Sequence, residues 1–172
     1  MGKRKPMSSS KIEKAPMEKI DSLNQVAEFH KTFKHPILSE PAIPAKERAA
    51  LRVRLIAEEL DELKVAIADN DLVEVADALC DIQYVLSGAV LEFGLGDKFV
   101  RLFEEVQRSN MSKACNTMAE VEASIKHYKE NKGEDCAYKV EGDKFLLYRT
   151  TDNKTLKSIN YSPADLKSIL ED

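Results

Sequence analysis

Several kinds of residue are scarce in this chain of 172 residues, and each scarcity argues against a class of protein. Tryptophan is absent and aromatic residues make up only 6%, so a core has to be built mainly from aliphatic side chains. The cysteines Cys80, Cys115 and Cys136 are odd in number and lack CxxC spacing. This pattern argues against a disulfide framework or a zinc site, and it favours a reducing cytoplasm with the thiols buried as small hydrophobic groups.

Long apolar runs are also missing. No segment approaches the roughly 18 to 20 apolar residues that span a bilayer, so we expect no membrane partner. The opening MGKRKPMSSSKIEKAP is basic and polar, and it predicts a disordered tail over 1–19 rather than a secretory signal. A net charge of −4 gives no support to a nucleic-acid-binding surface. We therefore expect a cytoplasmic protein that binds neither nucleic acid nor membrane.

The abundant residues predict a mainly α-helical fold. Apolar side chains recur at spacings of three and four, which indicates helices over about 21–33, 46–68, 71–93 and 98–109. Asp71 is a suitable N-cap for the third of these helices, and three prolines between 36 and 44 favour an extended connector before the second. The apolar stripe expected on the second helix consists of Leu51, Leu55, Ile56, Leu60, Leu63 and Ile67.

The last third of the chain has a different character. After a polar helix near 119–131, β-rich runs are split by EGDK and DNK, which predicts a hairpin or small meander. A short helix closes the chain, with Ser162 as its expected N-cap and Pro163 at its first position. We thus expect an all-α core over 20–116 and an appendage of helix, β-hairpin and short helix over 117–172.

The two central helices carry nine carboxylates between residues 54 and 85, although both must help to form the core. Side chains three or four residues apart share one face of a helix. The carboxylates at such spacings form two acidic sets, Glu58, Glu59 and Glu62 on the second helix and Glu74, Asp77 and Asp81 on the third.

A tight turn near residue 70 makes these helices antiparallel and brings the two acidic sets together. If facing positions sum to about 140, Glu62 faces Asp77 or the next residue, and Glu59 faces Asp81. If the turn falls two residues earlier, Glu62 faces Glu74 and Glu59 faces Asp77. The two registers remain alternatives, and both gather the carboxylates into one place.

Carboxylates gathered in this way repel one another, so something has to neutralise them. Oxygen-only ligand sets suit hard divalent cations, and Mg²⁺ or Mn²⁺ bound by carboxylates keeps positions open for phosphate oxygens. Two such ions can hold a polyphosphate and activate a water molecule. The alternative is a solvated acidic face without a metal.

The combined pattern resembles a known family. EExxE followed by ExxD, and the segments DLVEVADALCDIQYVLSGAVLEFGL and EEVQRSNMSKA, are similar to the all-α nucleoside triphosphate pyrophosphohydrolases of the MazG-like superfamily, in particular to the phosphoribosyl-ATP pyrophosphohydrolase-like branch. The resemblance implies a four-helix core, usually assembled as a homodimer or higher homo-oligomer. It also implies conversion of a nucleoside triphosphate and water to a monophosphate and pyrophosphate, by attack of water on the α-phosphorus.

The resemblance also assigns roles to the acidic residues. Glu59, Glu62, Glu74 and Asp77 would be Mg²⁺ ligands, and Glu58 would be a further ligand or the base that orients water. If the family's ADLLY segment matches LCDIQY instead, Asp81 becomes the ligand and Ala78 stands where an acid is expected, so both aspartates stay candidates.

Three further residues are candidates for substrate binding. By the resemblance, Lys113 would contact phosphate and Asn110 the base or ribose, whereas capping of the helix end is their alternative role. Arg54, like Arg52, lies a turn before EExxE and can reach phosphates, although a surface ion pair is the simpler expectation for both.

We therefore expect an Mg²⁺-dependent nucleoside triphosphate pyrophosphohydrolase with a house-cleaning role. One alternative is hydrolysis of phosphoribosyl-ATP in histidine biosynthesis, which the C-terminal hairpin makes less attractive. The other is a helical oligomerisation or regulatory module without catalysis.

Overall fold

A computed structural model of the protein describes residues 18–172, so most of the predicted tail over 1–19 lies outside the described residues. The fold is mainly helical, with one small antiparallel hairpin near the C-terminus. The elements are α1 (Ser22–Phe33), α2 (Lys46–Ala68), α3 (Leu72–Glu92), a 3₁₀ turn (Gly96–Lys98), α4 (Phe99–Met111), α5 (Met118–Lys132), β1 (Cys136–Glu141), β2 (Lys144–Arg149) and α6 (Leu166–Glu171). The predicted fold class is confirmed.

Helices α2 and α3 form the antiparallel hairpin that the acidic pattern predicts. Asp71 is the N-cap of α3, and its carboxylate accepts hydrogen bonds from the backbone N–H groups of Val73 at 2.9 Å and Glu74 at 3.2 Å. These bonds satisfy two of the N–H groups that a helix start leaves free, so α3 begins at a fixed residue. The position of this turn sets which residues of α2 and α3 face each other.

Buried charge joins α1, α2 and α3 at the other end of the hairpin. The Glu92 carboxylate is fully buried and is ion-paired with both Arg48 and Arg52. His30 is also buried, and its Nδ1 lies 2.9 Å from the Pro36 carbonyl oxygen. Burial raises the pKa of Glu92, but the hydrogen bonds from the two arginines outweigh it and the pKa is lowered. Three helices thus share one charged contact in place of a purely apolar one.

The connector between α1 and α2 is extended, as the prolines predict, and the structure places it against the end of α3. The backbone N–H of Leu38 donates to the Leu91 carbonyl, and that of Ala42 donates to the Phe93 carbonyl, both at 3.1 Å. Gly94 has φ +67°, and a Cβ there would lie 1.9 Å from the Glu40 carbonyl oxygen. This position therefore requires glycine for both backbone conformation and space.

The predicted apolar stripe on α2 is only partly right. Leu60 is 45% exposed and Ile67 is 62% exposed, whereas Ala66 and the charged Arg52 are buried. The reason is that α1 packs mainly on α3 and meets α2 around Arg52. Toward the hairpin tip, in the described part of the chain, α2 has only α3 beside it. The periodicity identified the helix but not how much of it its neighbours cover.

The appendage has its own hydrophobic cluster, formed by Cys115, Val121, Tyr128, Leu147 and Leu156. Two backbone hydrogen bonds of 2.9 Å between Cys115 and Phe145 tie the end of the helical core to β2. The expectation that all thiols are buried is wrong for Cys80, which is exposed on α3.

The predicted N-cap of the last helix is also wrong. Helix α6 begins at Leu166 and is capped by Asp165, which accepts from the backbone N–H of Ser168 at 3.2 Å. Residues 162–165 run along α4 instead, because the N–H of Ser162 donates to Ser112 Oγ at 3.0 Å. Tertiary hydrogen bonds thus hold residues 162–165 outside α6.

Helix α4 departs sharply from the rest of the helical core. The axis of the segment 96–111 lies at 111° to that of α3. Within residues 18–172 no single helix has the length and apolar character needed to cross a membrane, although this bent pair has both when taken together.

Candidate functional site

A cleft of about 410 Å³ lies between α2 and α3 near the tip of their hairpin. Small residues make it possible, since Ala66 and Ala78 are both buried and put little side-chain volume between the helices. Carboxylates supply most of its polar lining. They are Asp61, Glu62, Asp69, Asp71, Glu74 and Asp77.

Glu59 lies next to this cleft and is electrostatically coupled to both acidic sets. Its pKa is raised, first by burial and then by the negative charges of Glu62, Asp81, Glu58 and Asp77. A carboxylate responds in this way only to like charges within a short distance. The fold therefore brings α2 and α3 acids together, with both Asp77 and Asp81 in reach of Glu59.

The two acidic sets have no compensating cation in the described part of the chain. None of their six carboxylates takes part in an ion pair there. The one lysine close by, Lys64, pairs with Asp61 at 2.8 Å. A concentration of negative charge without a partner is unfavourable, and a bound cation would relieve it.

The chemistry of this donor set fits a hard divalent cation, because every candidate ligand is a carboxylate oxygen. Among residues 18–172, however, no three Asp, Glu, His or Cys side chains converge closely enough to hold an ion. Binding would therefore require side-chain rotation on α2 and α3, where all six lie on exposed or half-buried positions.

The predicted substrate-binding residues lie in different places. Arg54 is exposed and lies one helical turn before Glu58. Within residues 18–172 it forms no ion pair, so the surface ion pair expected for it is wrong. A surface ion pair is also wrong for Arg52, because its ion pair with Glu92 is buried. Of these two residues, Arg54 thus has a guanidinium without an ion pair among residues 18–172, and Arg52 has a buried one.

Asn110 and Lys113 are not part of the acidic cleft. Lys113 Nζ donates to Asn110 Oδ1 at 2.7 Å, at the end of α4 where the appendage packs. The carbonyl of Lys113 accepts from the N–H of Ser158 at 2.9 Å, and Arg108 donates to the Pro163 carbonyl at 3.0 Å. The structure therefore joins these residues to the appendage, and α4 points away from the hairpin.

A second cavity was not predicted from the sequence. It has a volume of about 210 Å³ and lies between α1, α2 and α3, beside the buried Arg52 and His30. Its residues come from three separate helices and the connector after α1, and no spacing within one helix could have indicated them. The only signal was the concentration of histidine and phenylalanine before the proline-rich connector.

Comparison with known proteins identifies the helical core. Residues 26–110 match the family model of phosphoribosyl-ATP pyrophosphohydrolase, and this range contains all six carboxylates of the acidic sets. This segment of the chain belongs to that family. The phosphoribosyl-ATP pyrophosphohydrolase domain is part of the MazG-like all-α superfamily, which supports pyrophosphohydrolase chemistry. Lys113 and the appendage lie beyond the matched range.

The uncharacterized protein L479 of Acanthamoeba polyphaga mimivirus is similar to part of this chain. The two are 38% identical over 86 residues, which is 45% of this chain and 33% of the viral protein. The chain therefore spans about a third of the length of the curated relative that it matches.

Proposed function

We propose that this protein is an Mg²⁺-dependent pyrophosphohydrolase that converts nucleoside triphosphates to monophosphates and pyrophosphate in nucleotide house-cleaning. The observation that carries the proposal is the pair of acidic sets on α2 and α3. Their carboxylates are coupled to one another through Glu59 and lack a cationic partner among the described residues. A divalent ion with a triphosphate would supply that partner.

The residues divide into ligands and a base in this proposal. Glu59, Glu62, Glu74 and Asp77 would hold Mg²⁺, or Mn²⁺ in its place, and Asp81 is the alternative to Asp77. When bound, the ion would neutralise the triphosphate oxygens and lower the pKa of water.

Glu58 would act as the base. It lies beside Glu59 on an exposed position of α2, where its carboxylate can accept a proton from a water molecule. The water oxygen would form a bond to the α-phosphorus, and the bond from that phosphorus to the α,β-bridging oxygen would break. The products are a nucleoside monophosphate and pyrophosphate, and the proton of the attacking water passes to Glu58.

A second substrate is favoured by a specific observation, since the matching family model is that of phosphoribosyl-ATP pyrophosphohydrolase. Hydrolysis of phosphoribosyl-ATP uses the same bond cleavage and the same carboxylates. The appendage after residue 116 argues for a different substrate, because it lies beyond the matched range. A non-catalytic helical module would need neither Mg²⁺ nor a triphosphate.

We also infer that a second copy of the chain completes the site. Exposed apolar side chains surround the hairpin tip, among them Ile67 at 62%, Leu72 at 79% and Val73 at 75% exposure. Asn110 and Lys113 lie outside the acidic cleft of their own chain, and a second copy would bring them to the triphosphate. Sedimentation equilibrium should give a mass of at least twice 19.3 kDa, and Leu72→Lys should lower it.

Phosphorus NMR tests the reaction directly. The full chain is incubated with Mg²⁺ and each of a panel of ribo- and deoxyribonucleoside triphosphates and phosphoribosyl-ATP. Monophosphate plus pyrophosphate is the expected product pair, lost in Glu62→Gln and kept in the exposed α5 control Glu122→Gln. Diphosphate plus orthophosphate would contradict the proposal. Turnover of phosphoribosyl-ATP alone would assign the second substrate, and no turnover at all would favour the non-catalytic module.

A further inference from the structure

The second cavity lies between α1, α2 and α3. It shares α2 and α3 with the acidic cleft and lies farther from the tip of their hairpin. Leu55, at the cavity, is four residues before Glu59, and Val85, also at the cavity, is four residues after Asp81. Four residues of α-helix span about 6 Å. The cavity therefore begins one helical turn from the carboxylates that are proposed to hold the metal and the triphosphate.

Aromatic side chains from two helices and the connector enclose this cavity. The ring of Phe29 stacks on that of His35, with centroids 5.8 Å apart and an interplanar angle of 18°. The ring of Tyr84 meets Phe29 edge-on at 5.6 Å. Tyr84 is 40% exposed, so the cavity opens to solvent. Flat π-surfaces at an open cavity suit a flat, unsaturated ring.

The volume of the cavity is sufficient for one such ring. It measures about 210 Å³, and an apolar protein cavity of about 150 Å³ holds benzene. A packing gap of this size would cost stability if nothing occupied it, because its lining loses dispersion contacts.

Arg52 adds a polar requirement at the wall of the cavity. It is 6% exposed. Its Nη2 donates to the Glu92 carboxylate and lies 3.5 Å from His30 Nε2, whereas its Nε is buried without a hydrogen-bond partner. A guanidinium only donates hydrogen bonds. A ring that binds beside it is therefore favoured when it offers an acceptor, such as a carbonyl oxygen or a ring nitrogen.

We infer that this cavity is the nucleobase subsite of the enzyme, in which Phe29, His35 and Tyr84 form the stacking surface for the base. The inference rests on the proposed function, because the acidic cleft has to hold the triphosphate of the same molecule. The occupant is the base of a nucleotide, and its sugar spans the helical turn between the cavity and Glu59.

Two probes separate the subsite from the rest of the site. Isothermal titration calorimetry compares a nucleoside triphosphate in which an imido group replaces the α,β-bridging oxygen with inorganic tripolyphosphate, which has no base, both with Mg²⁺. The variants are Tyr84→Leu and the control Tyr138→Leu, which removes an exposed tyrosine from β1. Tyr84 is not fully buried, so its loss should leave the fold intact, which circular dichroism checks.

The wild type should bind the nucleotide analogue more tightly than tripolyphosphate. Tyr84→Leu should lower the affinity for the analogue roughly tenfold, which is the effect of one lost base stack. The affinity for tripolyphosphate should not change. Tyr138→Leu should change neither. Proton NMR should show Overhauser effects between base protons and the rings of Phe29 and Tyr84.

Two results would overturn the inference in distinguishable ways. If tripolyphosphate binds as tightly as the analogue and Tyr84→Leu changes neither affinity, the triphosphate site stands and the base lies elsewhere. If neither probe binds the wild type with Mg²⁺, the proposed function fails and the subsite fails with it.

Discussion

Gly88 lies so close to Arg52 that a Cβ at this position would be 2.7 Å from Nη1 of the guanidinium, and 3.1 Å from His30 Nε2. The arginine cannot simply move aside, because it is buried and ion-paired with the fully buried Glu92. The close approach of α3 to this buried charge is what positions α1, α2 and α3 around the second cavity.

Gly88→Ala should therefore destabilise the protein. Alanine in a helix is favoured over glycine by about 1 kcal/mol, but overpacking costs about 1–3 kcal/mol and displacement of Arg52 weakens a buried ion pair. We expect a net loss of about 1–2 kcal/mol in the free energy of unfolding, measured by urea denaturation. A variant more stable than the wild type would show that the guanidinium is free to move.

Glu62→Gln should stabilise the protein when no divalent cation is present. It removes like-charge repulsion with Glu58 and Glu59 on the same face of α2, at a few tenths of a kcal/mol for each pair. The stabilisation of the wild type by added Mg²⁺ should shrink in the variant, since binding to the folded state raises stability by mass action. Thermal denaturation with EDTA and with Mg²⁺ measures both effects. Equal Mg²⁺ stabilisation in the two proteins would exclude Glu62 as a ligand.

Glu105 should make the stability of the protein depend on acid pH. Hydrogen bonds from Arg108 and from the backbone N–H of Asp165 lower its pKa from 4.5 to about 2. A carboxyl whose pKa is lower in the folded state stabilises it fully above its ordinary pKa, and this contribution is lost as the pH falls from about 4.5 toward 2.

Urea denaturation at pH 5 and at pH 3 checks this contribution. Glu105→Gln should reduce the difference in unfolding free energy between the two pH values. Glu104→Gln, at the exposed neighbouring position, should leave the difference as in the wild type. An unchanged difference in Glu105→Gln would show that the bonds from Arg108 and Asp165 do not persist in solution.

The helices and the acidic cleft could be predicted from the sequence because their signals are local. Apolar spacing, the Asp71 cap and the proline-rich connector each act over a few residues, and the turn near residue 70 makes α2 and α3 antiparallel. The two acidic sets meet as a direct consequence of this hairpin.

The remaining features depend on contacts between distant parts of the chain. Glu92 pairs with Arg48, 44 residues away, and the aromatic cavity combines α1, α2 and α3. The predicted start of α6 was wrong, because hydrogen bonds to α4, and not the local Ser-Pro signal, decide where residues 162–165 lie. No single-helix pattern contains this information.

The most direct test of the account is hydrolysis in ¹⁸O-labelled water with Mg²⁺, using the nucleoside triphosphate that turns over fastest. Attack of water on the α-phosphorus predicts one ¹⁸O atom in the monophosphate and none in the pyrophosphate, and it predicts that Glu62→Gln abolishes the reaction. Mass spectrometry of the products reads the label. Label in pyrophosphate or orthophosphate, or a Glu62→Gln variant as active as the wild type, would contradict the assignment of the α2–α3 acids as the catalytic metal site.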